Sequence, residues 1–124
     1  MLKRTILAAA VAAAAWNVEA AKKEKNIALV EIGTYETGIF DKGAAEIVAH
    51  DPDSQRLFVI NADEKTVDIL DISDPTDPQL YRSIDVIIDI ADTGGVNSVS
   101  VKNGLVGVAV EHDDKQANGW AAFY

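Results

Sequence analysis

Two histidines and a short acidic run are the residues in this sequence that could most readily carry chemistry. His112 lies between Glu111 and the pair Asp113 and Asp114, so four adjacent side chains offer oxygen or nitrogen ligands. Ca²⁺ or another divalent metal would be the cofactor for a site at His112, Asp113 and Asp114, but one short loop cannot fill the coordination shell alone. The alternative is a solvated acidic loop. His50 is interpreted as a histidine at the end of a strand.

Four further polar residues flank or end the predicted strands: Glu46, Asn61, Asn97 and Glu111. Such side chains either bind a ligand or ion at the end of a sheet or cap the strand ends by hydrogen bonds. The sequence contains no G-x-S-x-G motif and no Asp-x-Asp-x-Asp-Gly loop, and its paired glycines are explained by turns. No catalytic residue is therefore predicted.

The composition restricts the classes of partner. The chain has 124 residues, with 20 acidic against 11 basic side chains and a formal net charge of −9. Nucleic acids and anionic membranes need a positive protein surface, so neither is expected as a partner. The absence of cysteine excludes disulfides and thiolate metal sites.

The N-terminus has the pattern of a secretory signal peptide. Lys3 and Arg4 precede the uncharged run TILAAAVAAAAW, and the small residues around Ala20 favour cleavage after that residue. An uncleaved anchor is the alternative, but about a dozen apolar residues are fewer than the ~20 that a spanning helix needs. We therefore expect an exported protein, found in periplasm, at the cell surface or outside the cell. No later segment is long and apolar enough to span a bilayer.

Residues 46–73 predict a three-stranded antiparallel meander. The apolar runs EIVAH and RLFVIN and the alternating TVDILDIS are separated by the turn-forming segments DPDSQ and ADEK. Residues 80–85 read as a fourth strand, and residues 86–93 as an apolar and acidic stretch of uncertain structure. Before the meander, residues 27–33 predict a strand, and residues 34–45 an ordered loop that Tyr35 and Phe40 hold on the core.

A second set of strands follows the pair Gly94-Gly95, which is interpreted as a break. Residues 96–102 alternate strictly, Asn103-Gly104 predicts a type I′ hairpin turn, and residues 105–111 form the partner strand. A third strand begins at Gly119. Both sets have the same strand order at a period of about 50 residues, which is typical of β-propeller blades. A β-sandwich is the alternative.

The segment GTYETGIFDKGAAEI, with VINA, LDISDP, NSV and EHDDKQ further on, resembles the opening of the choice-of-anchor I family. The resemblance covers residues 27–124 and implies a secreted or surface-attached WD40/YVTN-like β-propeller. Family members continue for several further blades, whereas this chain has about one and a half four-stranded blades. The expected organisation is a signal peptide (1–20), a charged leader (21–26) and the N-terminal blades of a truncated propeller (27–124). Exposed blade edges would favour self-association.

Two functions remain open at this point. The first is a secreted or surface propeller that acts as a binding or scaffold module, as a fragment without activity of its own. The second is part of a metal-dependent phosphoesterase, which rests only on the alkaline-phosphatase-like names of some members of the resembled family. The residues favour the first, since nothing in the sequence assembles a metal cluster.

Overall fold

The computed structural model describes residues 27–124, and these residues form an all-β structure with a single helical turn. The predicted signal peptide and charged leader lie outside the described residues. The elements are β1 (Val48–Asp51), β2 (Arg56–Asn61), β3 (Thr66–Asp71), β4 (Gln79–Asp85), α1 (Val86–Asp89), β5 (Thr93–Lys102), β6 (Leu105–His112) and β7 (Trp120–Phe123). The predicted fold class, all-β, is confirmed.

The first sheet is an antiparallel meander in the order β1-β2-β3-β4. Its two tight turns end in Gln55 and Lys65, with φ of 51° and 56°, so each turn is closed by one residue in the left-handed region. Because side chains alternate along a strand, Phe58 points to one face and Leu57 to the other. The strands predicted over residues 46–73 and 80–85 are thus present, with small shifts at their ends.

The second sheet has the order β5-β6-β7 and is also antiparallel. Asn103 and Gly104 have φ of 52° and 77°, which is the pair of positive values that a type I′ turn requires. The prediction of this hairpin is confirmed.

The core lies between the two sheets, which pack face to face. Val67 and Val86 are completely buried there, and burial of such a side chain stabilises the fold by roughly 1.5–3 kcal/mol. The first sheet and α1 contribute Phe58, Ile60, Val67, Ile69, Ile84 and Val86, and the second contributes Val96, Val99, Val106, Val108 and Val110. Two stacked antiparallel meanders are consistent with neighbouring blades of a partial β-propeller.

The uncertain stretch after β4 becomes the connection between the sheets. Asp85 caps α1 by accepting a hydrogen bond from the backbone N–H of Ile87 at 3.0 Å. Val86 then enters the core, while Ile88 remains exposed. Within the described part of the chain, no helix has both the length and the apolarity to cross a membrane.

Three local predictions were wrong. Residues 27–33 do not form a strand, because their backbone pairs with no neighbouring strand. Phe40 is 93% exposed and does not hold its loop on the core, whereas Tyr35 is half-buried. Gly94 and Gly95 lie inside β5 rather than breaking it. A Cβ at Gly94 would collide with the carbonyl oxygen of His112, so this glycine allows β5 and β6 to approach closely.

Candidate functional site

The topology brings the four predicted ligand-binding residues to one end of the two sheets. Glu46 precedes β1 and Asn61 ends β2. Asn97 lies in the middle of β5, at an irregularity of the ladder with β6, and Glu111 lies near the end of β6. Because each pair is antiparallel, β1 begins where β2 ends, and β5 begins where β6 ends. The hydrogen bond from Lys65 to the carbonyl oxygen of Thr93 brings these two ends together. We call this the Glu111 end.

Among the four side chains, Glu111 is the one that forms an ion pair within the described part of the chain. Its carboxylate accepts hydrogen bonds from the Lys115 ammonium and, at 3.4 Å, from the Asn97 amide. These two bonds, the one from Lys115 first, hold the pKa of Glu111 below its ordinary value, and the charges of Lys115 and Lys65 act in the same direction. Glu111 is therefore an ionised, half-exposed carboxylate at neutral pH.

Lys65 joins the two sheets at this end. It closes the turn between β2 and β3, and its ammonium donates a 2.8 Å hydrogen bond to the carbonyl oxygen of Thr93 at the start of β5. The same cation is near enough to Glu111 to lower its pKa. The position of one sheet relative to the other thus contributes to the electrostatics around Glu111, although less than Lys115 and Asn97 do.

Glu46 and Asn61 differ in how accessible their side chains are to a ligand. Glu46 is exposed, and its backbone N–H donates to the carbonyl oxygen of Ile60 at 3.1 Å, which fixes it beside the end of β2. Asn61 is only 1% exposed. Its amide donates to Asp68 at 3.3 Å and its oxygen accepts from the backbone N–H of Glu64 at 3.2 Å. Asn61 therefore shapes the turn after β2, and Glu46 is the side chain of this pair that faces solvent.

The acidic loop after β6 is held by its own side chains. The Asp114 carboxylate accepts a 3.0 Å hydrogen bond from the backbone N–H of Gln116, in an Asx turn. Asp113 lies 2.7 Å from Nδ1 of His112, and the backbone N–H of Asp114 lies 2.9 Å from the same nitrogen. One nitrogen cannot both donate to Asp113 and accept from Asp114. We therefore assign the proton to Nδ1, which donates to the Asp113 carboxylate. The backbone N–H of Asp114 then also donates to the Asp113 carboxylate, at 2.7 Å.

The His112 ring stacks on the Trp120 indole, with ring centroids 5.1 Å apart and planes 17° from parallel. This stacking fixes the ring at the Glu111 end and places a fluorescent side chain there. Across residues 27–124, no three histidine or acidic side chains converge as a metal site would require. A metal role for His112, Asp113 and Asp114 stays a prediction.

Asp68 is a functional candidate that the sequence analysis missed. Its carboxylate is 7% exposed and accepts hydrogen bonds from Ser83 at 2.6 Å, from Thr66 at 3.1 Å and from Asn61. The donors are neutral, and no cation among the described residues lies within 4.0 Å of it. The alternation of side chains along β3 could have identified it, since alternation places the Asp68 carboxylate on the same face as the apolar side chain of Leu70.

The Asp68 carboxylate borders a cleft of about 250 Å³ on the outer face of the first sheet. Leu57, Val59 and Leu70 form its apolar floor, and the irregular segment 33–45 covers it. His50 lies on this outer face, across from Leu57, and is exposed. Asn61 connects the Asp68 wall of this cleft to the Glu111 end.

The comparison with family models finds one match, described as the choice-of-anchor I domain, over residues 46–124. This range begins at Glu46 and includes both sheets and all seven predicted site residues. Neither the curated proteins nor the solved structures include a match to the chain.

Proposed function

Because the chain belongs to the choice-of-anchor I domain family, whose description indicates a surface- or anchor-related module, we propose that it is an exported propeller module that binds a cationic ligand at its Glu111 end. The single observation that supports this best is the placement of Glu46, Asn97 and Glu111 at the same end of the stacked sheets, where Lys65 joins one sheet to the other. Export rests on the N-terminal pattern of residues 1–20.

The class of ligand follows from the charges at this end. Carboxylates outnumber ammonium groups there: Glu46, Asp63, Glu64, Asp92, Glu111, Asp113 and Asp114 against Lys42, Lys65 and Lys115. Part of this charge is neutralised within the chain, since Lys42 pairs with Asp63 at 3.0 Å and Lys115 pairs with Glu111. The remaining carboxylates favour a cation, and Ca²⁺ is the simplest probe because it accepts carboxylate and carbonyl oxygens in flexible geometry.

Binding can be followed through Trp120. The sequence has two tryptophans, so Trp16→Phe leaves Trp120 as the only indole, stacked on His112 at the candidate site. We expect CaCl₂ to change its fluorescence saturably, and Glu111→Gln to weaken the response at least fivefold, since one of the few ionised oxygen ligands is lost.

Glu36→Gln is the matched control, because it removes the same charge from an exposed position in the segment before β1. An equal loss in both variants would show that only net charge matters and would refute the site. A flat titration with both CaCl₂ and a lysine-rich peptide would refute cation binding altogether.

Export is tested separately. The full chain with a C-terminal epitope should be recovered outside the cytoplasm with residues 1–20 removed, and replacement of Lys3 and Arg4 by Glu should retain it inside. A secreted product that still carries its N-terminus would contradict the cleavage after Ala20.

A phosphatase assay distinguishes the binding module from an enzyme. The proposal expects no hydrolysis of p-nitrophenyl phosphate, with or without a divalent metal. Metal-dependent hydrolysis that is lost on Glu111→Ala or His112→Ala would refute the proposed binding module and indicate a phosphoesterase. Self-association through exposed blade edges stays a prediction.

A further inference from the structure

A second cleft, lined in part by arginine side chains, lies at the end of the sheets opposite to the Glu111 end. It opens between the sheets where β1 and β5 end and β2 and β6 begin, and its volume is about 300 Å³. Core side chains such as Phe58 and Val106 form its floor, and Arg56, Arg82 and Tyr124 are among its polar walls. We call it the Arg56 cleft.

The arginines are concentrated in this cleft. The sequence has three, of which Arg4 lies outside the described residues, and both of the others line the cleft. Within residues 27–124, neither Arg56 nor Arg82 has a carboxylate within 4.0 Å. Asp51 and Asp71 lie opposite Arg56 on the two neighbouring strands, but neither carboxylate comes within ion-pair distance of it, so the donors of both guanidinium groups remain available.

Arg56 also has an unused donor. Its Nε is buried and makes no hydrogen bond to any described residue. The guanidinium lies over the Tyr81 ring, 4.0 Å from the ring centroid, so the ring covers one face of the guanidinium plane. A buried N–H without a partner costs free energy, which an acceptor in the cleft would recover.

The Tyr124 hydroxyl is the other buried side-chain atom without a partner among the described residues, and it lines the same cleft. Burial raises the pKa of Tyr124, and the approach of Asp89 raises it further, without a hydrogen bond of good geometry between them. The hydroxyl therefore keeps its proton and is a donor. Asp51, the carboxylate in the lining, accepts a 2.6 Å hydrogen bond from Ser54 and is not paired with Arg56.

We propose that the Arg56 cleft binds an oxyanion, the phosphate or carboxylate group of a small molecule, through the N–H edge of Arg56, the Arg82 guanidinium and the Tyr124 hydroxyl. Arginine suits this role because its planar array of donors matches two oxygens of a carboxylate or phosphate. This site is independent of the cation site at the Glu111 end.

The test is a titration of the full, ¹⁵N-labelled chain with inorganic phosphate and, separately, with acetate, each at constant ionic strength maintained with NaCl. NMR resolves the Nε–Hε signals of arginine side chains, so the orphaned donor is observed directly. The Arg56 signal should shift saturably with at least one of the two anions. A shift with phosphate alone, acetate alone or both would identify the group that the cleft prefers.

Arg82→Gln should weaken this binding about tenfold or more, because a charge-assisted hydrogen bond is lost. Arg82 is exposed, so its replacement leaves the core intact. Lys102→Gln is the matched control, since it removes one positive charge from an exposed residue at the same end outside the cleft, and it should weaken binding less than twofold.

Two results would overturn the proposal. The first is an Arg56 signal in the unmodified chain that does not shift saturably with either anion. The second is an equal loss in the Lys102→Gln and Arg82→Gln variants, which would reduce the effect to general electrostatics. Amide signal dispersion in each variant shows that the fold is retained.

Discussion

Removal of the Asp68 carboxylate should destabilise the first sheet, although the carboxylate is a buried charge without a cationic partner. The hydroxyl groups of Ser83 and Thr66 donate to one carboxylate oxygen, and the Asn61 amide donates to the other at 3.3 Å. In Asp68→Ala these three donors lose their acceptor.

The magnitude depends on which donors can find another partner. Ser83 is exposed enough to turn to water, so its contribution is small. Thr66 and Asn61 are 8% and 1% exposed, and each buried donor left unsatisfied costs about 1–3 kcal/mol. The variant no longer buries a charge, and the desolvation cost that is removed offsets part of this loss. We therefore expect a net decrease of about 2 kcal/mol in the free energy of unfolding.

Urea unfolding monitored by circular dichroism measures this loss. With a slope of about 1–3 kcal/mol per molar urea, the midpoint should fall by about 1 M at an unchanged slope. Asp53→Ala is the matched control, because Asp53 is an exposed turn residue, and its change should stay within about 0.5 kcal/mol.

An additional double-mutant cycle isolates the strongest contact. The Ser83→Ala and Asp68→Ala changes should be coupled, since they share the 2.6 Å hydrogen bond, and the double variant should lose less than the sum of the single losses. If Asp68→Ala is neutral or stabilising, the cost of burying the charge exceeds the gain from its donors, and the reasoning is refuted.

Three further predictions concern the second sheet. Gly94→Ala should lower the free energy of unfolding by about 1–3 kcal/mol in urea, because the methyl group collides with the carbonyl oxygen of His112. Gly104→Val should cost at least about 1 kcal/mol in the same assay, since its φ is 77°. Lys115→Met should raise the pKa of Glu111 towards its ordinary value, as followed by carboxyl ¹³C shifts. Because the folded-state pKa is lowered, the stabilisation by this pair is present above the unfolded-state pKa and is lost as pH falls through the folded-state pKa. Unchanged midpoints in the glycine variants, or an unchanged Glu111 titration, would contradict the respective geometry.

Local signals explain what the sequence predicted well. The Asn103-Gly104 turn needs two positive φ values that few other residue pairs adopt, so it was recognised without knowledge of the rest of the fold. The apolar runs that became β2 and β6 were recognised for a similar reason, because alternation and turn residues act within about ten residues.

The failures involve contacts between distant segments. Gly94 and Gly95 look like a break in isolation, and only the approach of His112 shows why a strand needs glycine there. Residues 27–33 have the composition of a strand, but a strand also needs a neighbour with which to pair its backbone. Asp68 looked like an ordinary polar residue of a half-exposed strand, since its three donors come from three different strands.

The two candidate sites depend on the fold in different ways. Within one sheet, Glu111 has Asn97 and Lys115 as fixed neighbours, which nearby segments of the chain supply. The link through Lys65 and the whole of the Arg56 cleft exist only where the two sheets face each other. A strand pattern in the sequence fixes which side chains share a face, but it does not fix how one sheet is placed on the next. The sequence could therefore locate Glu111 as a candidate, whereas two arginines 26 positions apart, one at the start of β2 and one within β4, acquire a common role only through the packing of the sheets.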